Sequence, residues 1–229
     1  MEWITNRPIA HRGLHRGRTV PENSLAAFEA AIATNHPIEL DVQLLADGHL
    51  AVFHDRDLRR LTGKKARLAD QTLDSLKRYR LYDTDQTIPS LAEVLACIDG
   101  RVPLLIEIKN EKQVGPPEQA LLKTLVGYQG ELAVQSFNPR SLQWLKRHAP
   151  EIMRGQLASK PQKFLRSHLL LTWASRPHFI AYNVKALPTL STTLARHYFN
   201  CPLLAWTVRS QTDCAKAHQY ADNYIFDPF

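Results

Sequence analysis

No apolar run in this 229-residue chain approaches the ~20 residues needed to cross a bilayer, so stable membrane insertion is not expected. The opening Met1-Glu2-Trp3-Ile4-Thr5-Asn6 lacks both the basic start and the apolar stretch of a signal peptide, which points to the cytoplasm. Cysteine is scarce. Cys97, Cys201 and Cys214 are odd in number and have neither zinc nor redox spacing, so they read as reduced structural thiols. Low-complexity linkers and internal repeats are also lacking, and nothing marks a second domain. What is present is ordinary for a folded globular protein, with 44% apolar and 22% charged residues, and the length suits one α/β barrel. The net charge of +7 attracts anions in general. Its denser pieces, Arg56 to Arg67 and Arg140 to Arg154, carry no nucleic-acid module signature and read as a solvated basic face, so no nucleic-acid partner is expected.

The alternation of elements predicts the fold. Strands are read at Pro8–His11, Pro37–Asp41, Val102–Lys109, Glu131–Ser136, Ile152–Leu157, Phe179–Asn183, Leu203–Val208 and Asn223–Asp227. Helices are read from Ser24 to about Thr34 and from Pro89-Ser90 to Ile98, with others beginning near Pro117, Pro139, Gln162, Thr189 and Gln211. Eight strand–helix units predict a TIM-type (β/α)8 barrel of the α/β class over residues 1–229, with residues 56–87 as a small insertion after the second strand. Within that insertion Leu68 to Tyr79 shows partial helical spacing.

The most informative stretch runs from Ile38 to Asp55. Glu39 and Asp41 are two apart on a strand, so their carboxylates leave one face and repel unless a cation lies between them. Asp47-Gly48 is a turn signal, and folding the chain symmetrically about it sets His54 opposite Asp41, with Leu50–His54 as the return arm. A plain surface hairpin is the competing reading. Barrel chemistry gathers at the C-terminal strand ends, which here carry His11-Arg12, Glu39 and Asp41, Glu107 and Lys109, Gln135-Ser136-Phe137, Asn183, Trp206 and Asp227.

Taken in order, Ala10-His11-Arg12-Gly13, Pro21-Glu22-Asn23-Ser24, Glu39-Leu40-Asp41-Val42, Asp47-Gly48, Phe53-His54-Asp55, Ile106-Glu107-Ile108-Lys109, Gln135-Ser136-Phe137 and Trp206-Thr207-Val208 span nearly the whole chain. This set resembles the glycerophosphodiester phosphodiesterase family, in its cytoplasmic bacterial form. The resemblance implies hydrolysis of a small-molecule glycerophosphodiester to sn-glycerol 3-phosphate and an alcohol. It also implies one divalent cation on Glu39, Asp41 and Glu107, with His11 and His54 as the acid–base pair. Three carboxylates suit Mg²⁺ or Ca²⁺, with Mn²⁺ a third candidate, better than zinc. Glu107 could instead be only the buried partner of Lys109.

Arg12 and Lys109 are the cations to meet charge on the phosphoryl oxygens, and Phe137 and Trp206 are candidates for the leaving-group pocket. Glu22 and Asn23 either order the first loop or contact the site, Asn23 alternatively capping a helix, and Gln135 stands behind the site. Which histidine is acid and which base stays open, as does the nucleophile, water or the neighbouring glycerol hydroxyl. His15, His36, His49, His148, His168, His178, His197 and His218 read as surface or structural. The chain departs from the family pattern at Arg209, where asparagine is usual, at Ser24 in place of threonine, and in lacking a closing helix after Phe229. Two alternatives remain. Leu58, Leu61, Leu68, Leu73 and Leu76 could wall a groove for lysophospholipids in a phospholipase D-type reaction, or a non-catalytic barrel could bind phosphorylated ligands or nucleic acid.

Overall fold

The computed structural model describes residues 2–110, 113–159 and 175–229. Strands form where short aliphatic runs alternate between two buried faces: β1 Ile9–His11, β2 Ile38–Leu44, β3 Leu50–Val52, β4 Leu104–Ile108, β5 Leu132–Ser136, β6 Met153–Ala158, β7 Phe179–Asn183, β8 Leu203–Val208 and β9 Asn223–Phe226. All but β3 pair in parallel, in the order β1-β2-β4-β5-β6-β7-β8-β9, and β9 pairs again with β1, so eight strands close a ring. The TIM-type barrel expected from the sequence is present, and β3 hangs antiparallel on β2 outside it.

Period-two alternation divides each strand between two cores. Ile38, Leu40 and Val42 of β2 and Leu104, Ile106 and Ile108 of β4 face the surrounding helices together with Phe28, Leu91 and Leu121. Leu105, Ala133, Leu157, Phe179, Leu204 and Ile225 fill the barrel interior with Ile4. A one-turn helix, Trp3–Asn6, closes the interior from the N-terminal end of the strands, held by Asn223 Nδ2 donating to the carbonyls of Ile4 and Arg7 at 2.8 and 2.6 Å. The same alternation leaves Glu39, Asp41 and Glu107 on inward faces, opposite to the residues that meet the helices.

The helix after β1 spans Leu25–Ala33, and Ser24 is its N-cap, accepting from the Ala27 N–H; serine thus does the capping work at this departure from the family pattern. Asn23 is not the cap. The helices Leu91–Ile98, Pro139–His148, Leu190–Tyr198 and Gln211–Tyr220 fall where the cap signals set them, and the one expected near Pro117 starts at Pro116. The helix expected near Gln162 lies outside the described residues.

Two expectations need correction. The hairpin register pairs Val42 with Val52 and Leu44 with Leu50, so Phe53 stands opposite Asp41 and donates its N–H to the Asp41 carbonyl at 2.9 Å. The turn is centred on Asp47 rather than between Asp47 and Gly48, since Leu45 N–H bonds the His49 carbonyl, and His54 therefore lies one residue beyond the predicted pairing. In the insertion, Leu68–Asp70 is a 3-10 turn and Leu73–Leu76 a separate helical turn. Thr72 begins a new capping box, which interrupts the longer helix suggested by spacing. Leu58, Leu61, Leu68 and Leu76 pack inward with Leu45, Phe53, Leu81 and Ile88, a small core that the insertion shares with the hairpin. Burial of each such leucine contributes about 1.5–3 kcal/mol.

Candidate active site

Strand register builds the site. His11 of β1 is level with Glu39 of β2, Asp41 of β2 with Glu107 of β4, and Glu107 with Gln135 of β5. Glu39, Asp41 and Glu107 are buried, and one carboxylate oxygen from each lies within 4.8 Å of the others. Two cations enter the cluster. Arg12 Nε is 3.2 Å from Asp41 Oδ2, and Lys109 Nζ is 3.2 Å from Asp41 Oδ1 and 3.0 Å from Glu107 Oε1. Asn23 Nδ2 donates to Asp41 Oδ2 at 2.9 Å, Gln135 Nε2 approaches Glu39 Oε1 at 3.4 Å, and the Arg12 N–H bonds Glu39 Oε2 at 3.2 Å.

These contacts divide the three acids. Burial, followed by repulsion from Asp41 and Glu107, pushes the Glu39 carboxyl well above the usual carboxylate range. Burial and then Asp41 push Glu107 up as well. Burial opposes ionisation of Asp41 too, but Lys109 and Arg12 outweigh it and hold that carboxyl low. Three carboxylates facing two fixed cations leave one negative charge uncompensated in a buried place. An all-oxygen donor set with an excess charge fits a hard divalent cation, and no other group of three or more potential ligand side chains occurs among the described residues. Glu107 contacts Lys109 and belongs to this cluster at once, so the two readings of it were not exclusive.

The histidines flank the acids. His11 Nδ1 lies 2.6 Å from Asp227 Oδ1, and His54 Nδ1 lies 2.7 Å from Asp55 Oδ1. Each ring thus has Nδ1 committed to a carboxylate, leaving Nε2 as the free nitrogen; His11 Nε2 is 3.9 Å from Glu39 Oε2. Burial lowers the His11 pKa against the opposing pull of Asp227. Burial would raise Asp227, but hydrogen bonds from His11 and His15 keep it ionised below the ordinary range. The loop carrying His54 is fixed by Gln43, whose Nε2 lies 2.8–3.0 Å from the carbonyl oxygens of Phe53, His54 and Asp55.

An open groove of about 1090 Å³ is lined by His54, Glu107, Lys109 and Phe137 together with Arg56 and Arg67 of the insertion. Phe137 is 46% exposed and packs edge-to-face on Trp206, ring centroids 5.6 Å apart. The Trp206 Nε1 has no hydrogen-bond partner among the described residues.

The contacts above join His11, Arg12, Glu39, Asp41, Glu107 and Lys109 directly; His54 and Phe137 line the groove beside Glu107 and Lys109, Trp206 packs on Phe137, and Asn183 instead caps the turn Val184–Ala186. Sequence reasoning missed the partners. Asp227 was noted only as a strand end and Asp55 only as part of a motif. His15, read as surface or structural, has its Nε2 3.3 Å from Asp227 Oδ1. Arg209 Nε donates to Asp227 Oδ2 at 2.5 Å, so the unusual arginine braces the carboxylate behind His11. The pairing of the last strand with the first was the signal that could have found Asp227.

No helix among the described residues is long and apolar enough to cross a membrane. Residues 11–227 match the glycerophosphoryl diester phosphodiesterase family. The chain is 38% identical over 160 residues to the glycerophosphodiester phosphodiesterase of Caldanaerobacter subterraneus subsp. tengcongensis, covering 65% of this chain and 65% of that protein, just under two thirds of its length. It is 31% identical over 218 residues to YhdW of Bacillus subtilis, covering 91% of this chain and 88% of that protein. Among solved structures, an Oleispira antarctica phosphodiesterase in complex with the product sn-glycerol-3-phosphate has the same fold, with a TM-score of 0.86 at 24% identity over 98% of this chain and 94% of that one. A match that begins at His11, ends at Asp227 and takes in every acid and base of the rim makes the chain a member of the glycerophosphoryl diester phosphodiesterase family.

Proposed function

We propose that this chain, acting as one catalytic domain, hydrolyses glycerophosphodiesters to sn-glycerol 3-phosphate and an alcohol, with His11 and His54 exchanging the protons. The observation that carries this reading is the pair of imidazoles, each with Nδ1 on a carboxylate and Nε2 free, beside a buried oxygen cluster. Glu39, Asp41 and Glu107 would hold a divalent cation, Mg²⁺, Ca²⁺ or Mn²⁺, which supplies Lewis-acid polarisation of a phosphoryl oxygen when bound.

The chain's own groups account for the rest. One imidazole accepts a proton at Nε2 from the attacking hydroxyl or water as its oxygen bonds to phosphorus. The other imidazole, protonated, gives its Nε2 proton to the alcohol oxygen as the P–O bond breaks. Asp227 and Asp55 stabilise whichever ring carries the extra proton and fix its orientation. Arg12 and Lys109 bring positive charge to the rim, where negative charge grows on the phosphoryl oxygens.

The groove lined by Phe137 is the natural place for the leaving alcohol, with Trp206 packed against Phe137 from behind. The insertion offers no leucine wall for the acyl chain that a lysophospholipid carries on its glycerol, because Leu58, Leu61, Leu68 and Leu76 are turned into a buried cluster, and this favours deacylated head-group esters. The test is release of glycerol 3-phosphate from glycerophosphocholine and glycerophosphoethanolamine by chelator-stripped protein with each metal added back, with choline release from lysophosphatidylcholine followed alongside, since that substrate would yield lysophosphatidate instead. The expected result is metal-restored turnover of the head-group esters that disappears in Glu39→Ala and His54→Ala. No turnover with any metal would overturn the proposal.

A further inference from the structure

Arg60 sits on the first helical turn of the insertion, Arg59–Thr62, and nothing said above gives it a role. Its backbone is anchored by Leu58 and Leu61, which are 0% and 1% exposed. Its guanidinium lies between two carboxylates from distant parts of the chain. Nη1 and Nη2 donate to Glu22 Oε2 and Oε1 at 2.8 and 2.7 Å, while Nε and Nη2 donate to Asp55 Oδ2 and Oδ1 at 2.6 and 3.1 Å. Both carboxylates have a second partner at the rim. Asp55 Oδ1 meets His54 Nδ1 at 2.7 Å, and Glu22 Oε1 accepts from Arg12 Nη1 at 2.6 Å.

We propose that Arg60 is a positioning residue: it clamps Asp55 against Glu22 and so holds the His54 ring with Nε2 toward the reacting centre. The inference rests on reading His54 as one of the acid–base pair. Without a cation between them, Glu22 and Asp55 repel, and Asp55 turns toward water. The His54 Nδ1–H then loses its fixed acceptor, and both tautomers become populated. The geometry asks for arginine in particular. Two bidentate contacts need a planar fork, whereas a lysine ammonium is a point charge that can face only one carboxylate well.

The test compares wild type with Arg60→Gln, Arg60→Lys, Asp55→Asn and the Arg60→Gln/Asp55→Asn double variant, using glycerophosphocholine hydrolysis and imidazole ¹⁵N NMR of His54. We expect Arg60→Gln to lower kcat by about 10–100-fold, the scale seen for partners that orient a functional group, with KM changed less than about threefold. Arg60→Lys should restore only part of that loss. Since Arg60 acts through Asp55, the double variant should fall within about twofold of Asp55→Asn alone. In the NMR arm, wild type should show His54 protonated at Nδ1 only, and both Arg60 variants a mixture of tautomers. Losses that multiply in the double variant, or a His54 tautomer unchanged by either substitution, would overturn the role of Arg60. A wild-type protein without turnover would instead count against the proposed function, and the NMR arm would still decide the clamp.

Discussion

Replacing Glu39 by Gln should make the metal-free protein more stable while destroying its metal site. Carboxylate oxygens of Glu39, Asp41 and Glu107 lie within 4.8 Å of one another, where each pair repels by about 3.5 kcal/mol at an effective dielectric of about 20. Arg12 and Lys109 return part of this to Glu39, and its carboxyl pKa is nonetheless pushed well up by burial and by its two neighbours. Removing that charge brings the buried cluster to two anions and two cations. We expect a net gain of about 2 kcal/mol in chelator, roughly 4–8 °C in Tm for a chain of this size.

The sign with pH follows from linkage. A carboxyl whose folded pKa is raised costs stability at any pH above that raised value, and the cost fades as pH falls through it toward the ordinary carboxylate value. The gap between Glu39→Gln and wild type should therefore be largest near about pH 7.5 and shrink toward about pH 5. Saturating Mg²⁺ or Ca²⁺ should reverse the order, because wild type gains the free energy of binding and the variant loses a ligand. Thermal denaturation followed by circular dichroism, with chelator and with metal at both pH values, reads all of this. A chelator-treated variant that melts below wild type at about pH 7.5 would refute the charge argument.

Asp227→Asn removes a charge-assisted hydrogen bond worth about 1.5–3 kcal/mol, so kcat should fall by about 10–100-fold. Without that carboxylate, burial and Arg12 lower the His11 pKa further, and the limb of the pH–rate profile that His11→Ala abolishes should move to lower pH in the Asn variant. Gly13→Ala should destabilise by at least about 2 kcal/mol in urea titration, since Gly13 has φ +78° and a Cβ there would stand 2.7 Å from the Ala27 carbonyl atoms. Gly17→Ala, at φ +55° with open space around it, should cost less than Gly13→Ala, about 1–2 kcal/mol.

Much of the barrel was legible because β-strand alternation and capping chemistry are local properties. Alternation alone sets Leu105 and Glu107 on one face of β4 and Ile106 and Ile108 on the other, and Ser90 with Glu93 or Thr189 with Thr192 mark helix starts within four residues. The hairpin register was legible only to within one residue, because the turn centre depends on a single backbone bond from Leu45 to His49. Acids and bases at strand ends were legible as a group, since the fold gathers strand ends at one rim. Their pairing was not. With 22 acidic and 29 basic residues in the chain, which carboxylate meets which cation is decided by closure of the ring and by how the insertion folds back, neither of which leaves a local mark.

The two histidines differ in this respect. His54 takes its carboxylate from the next residue, on a loop whose carbonyls Gln43 holds, so its environment comes from the hairpin. His11 takes its carboxylate from a residue 216 positions away, across the β1–β9 pairing of Ile9 with Ile225 and Ala10 with Phe226. Orientation of His11 is therefore a property of the closed ring, and anything that loosens β9 acts on His11 before it acts on His54. Arg12 follows His11 directly and reaches Glu22, and Glu22 reaches Arg60 of the insertion. That chain of ion pairs ties the ring-dependent half of the rim to the hairpin-dependent half, which is why a side chain as exposed as Arg60, at 41%, is not a free surface charge.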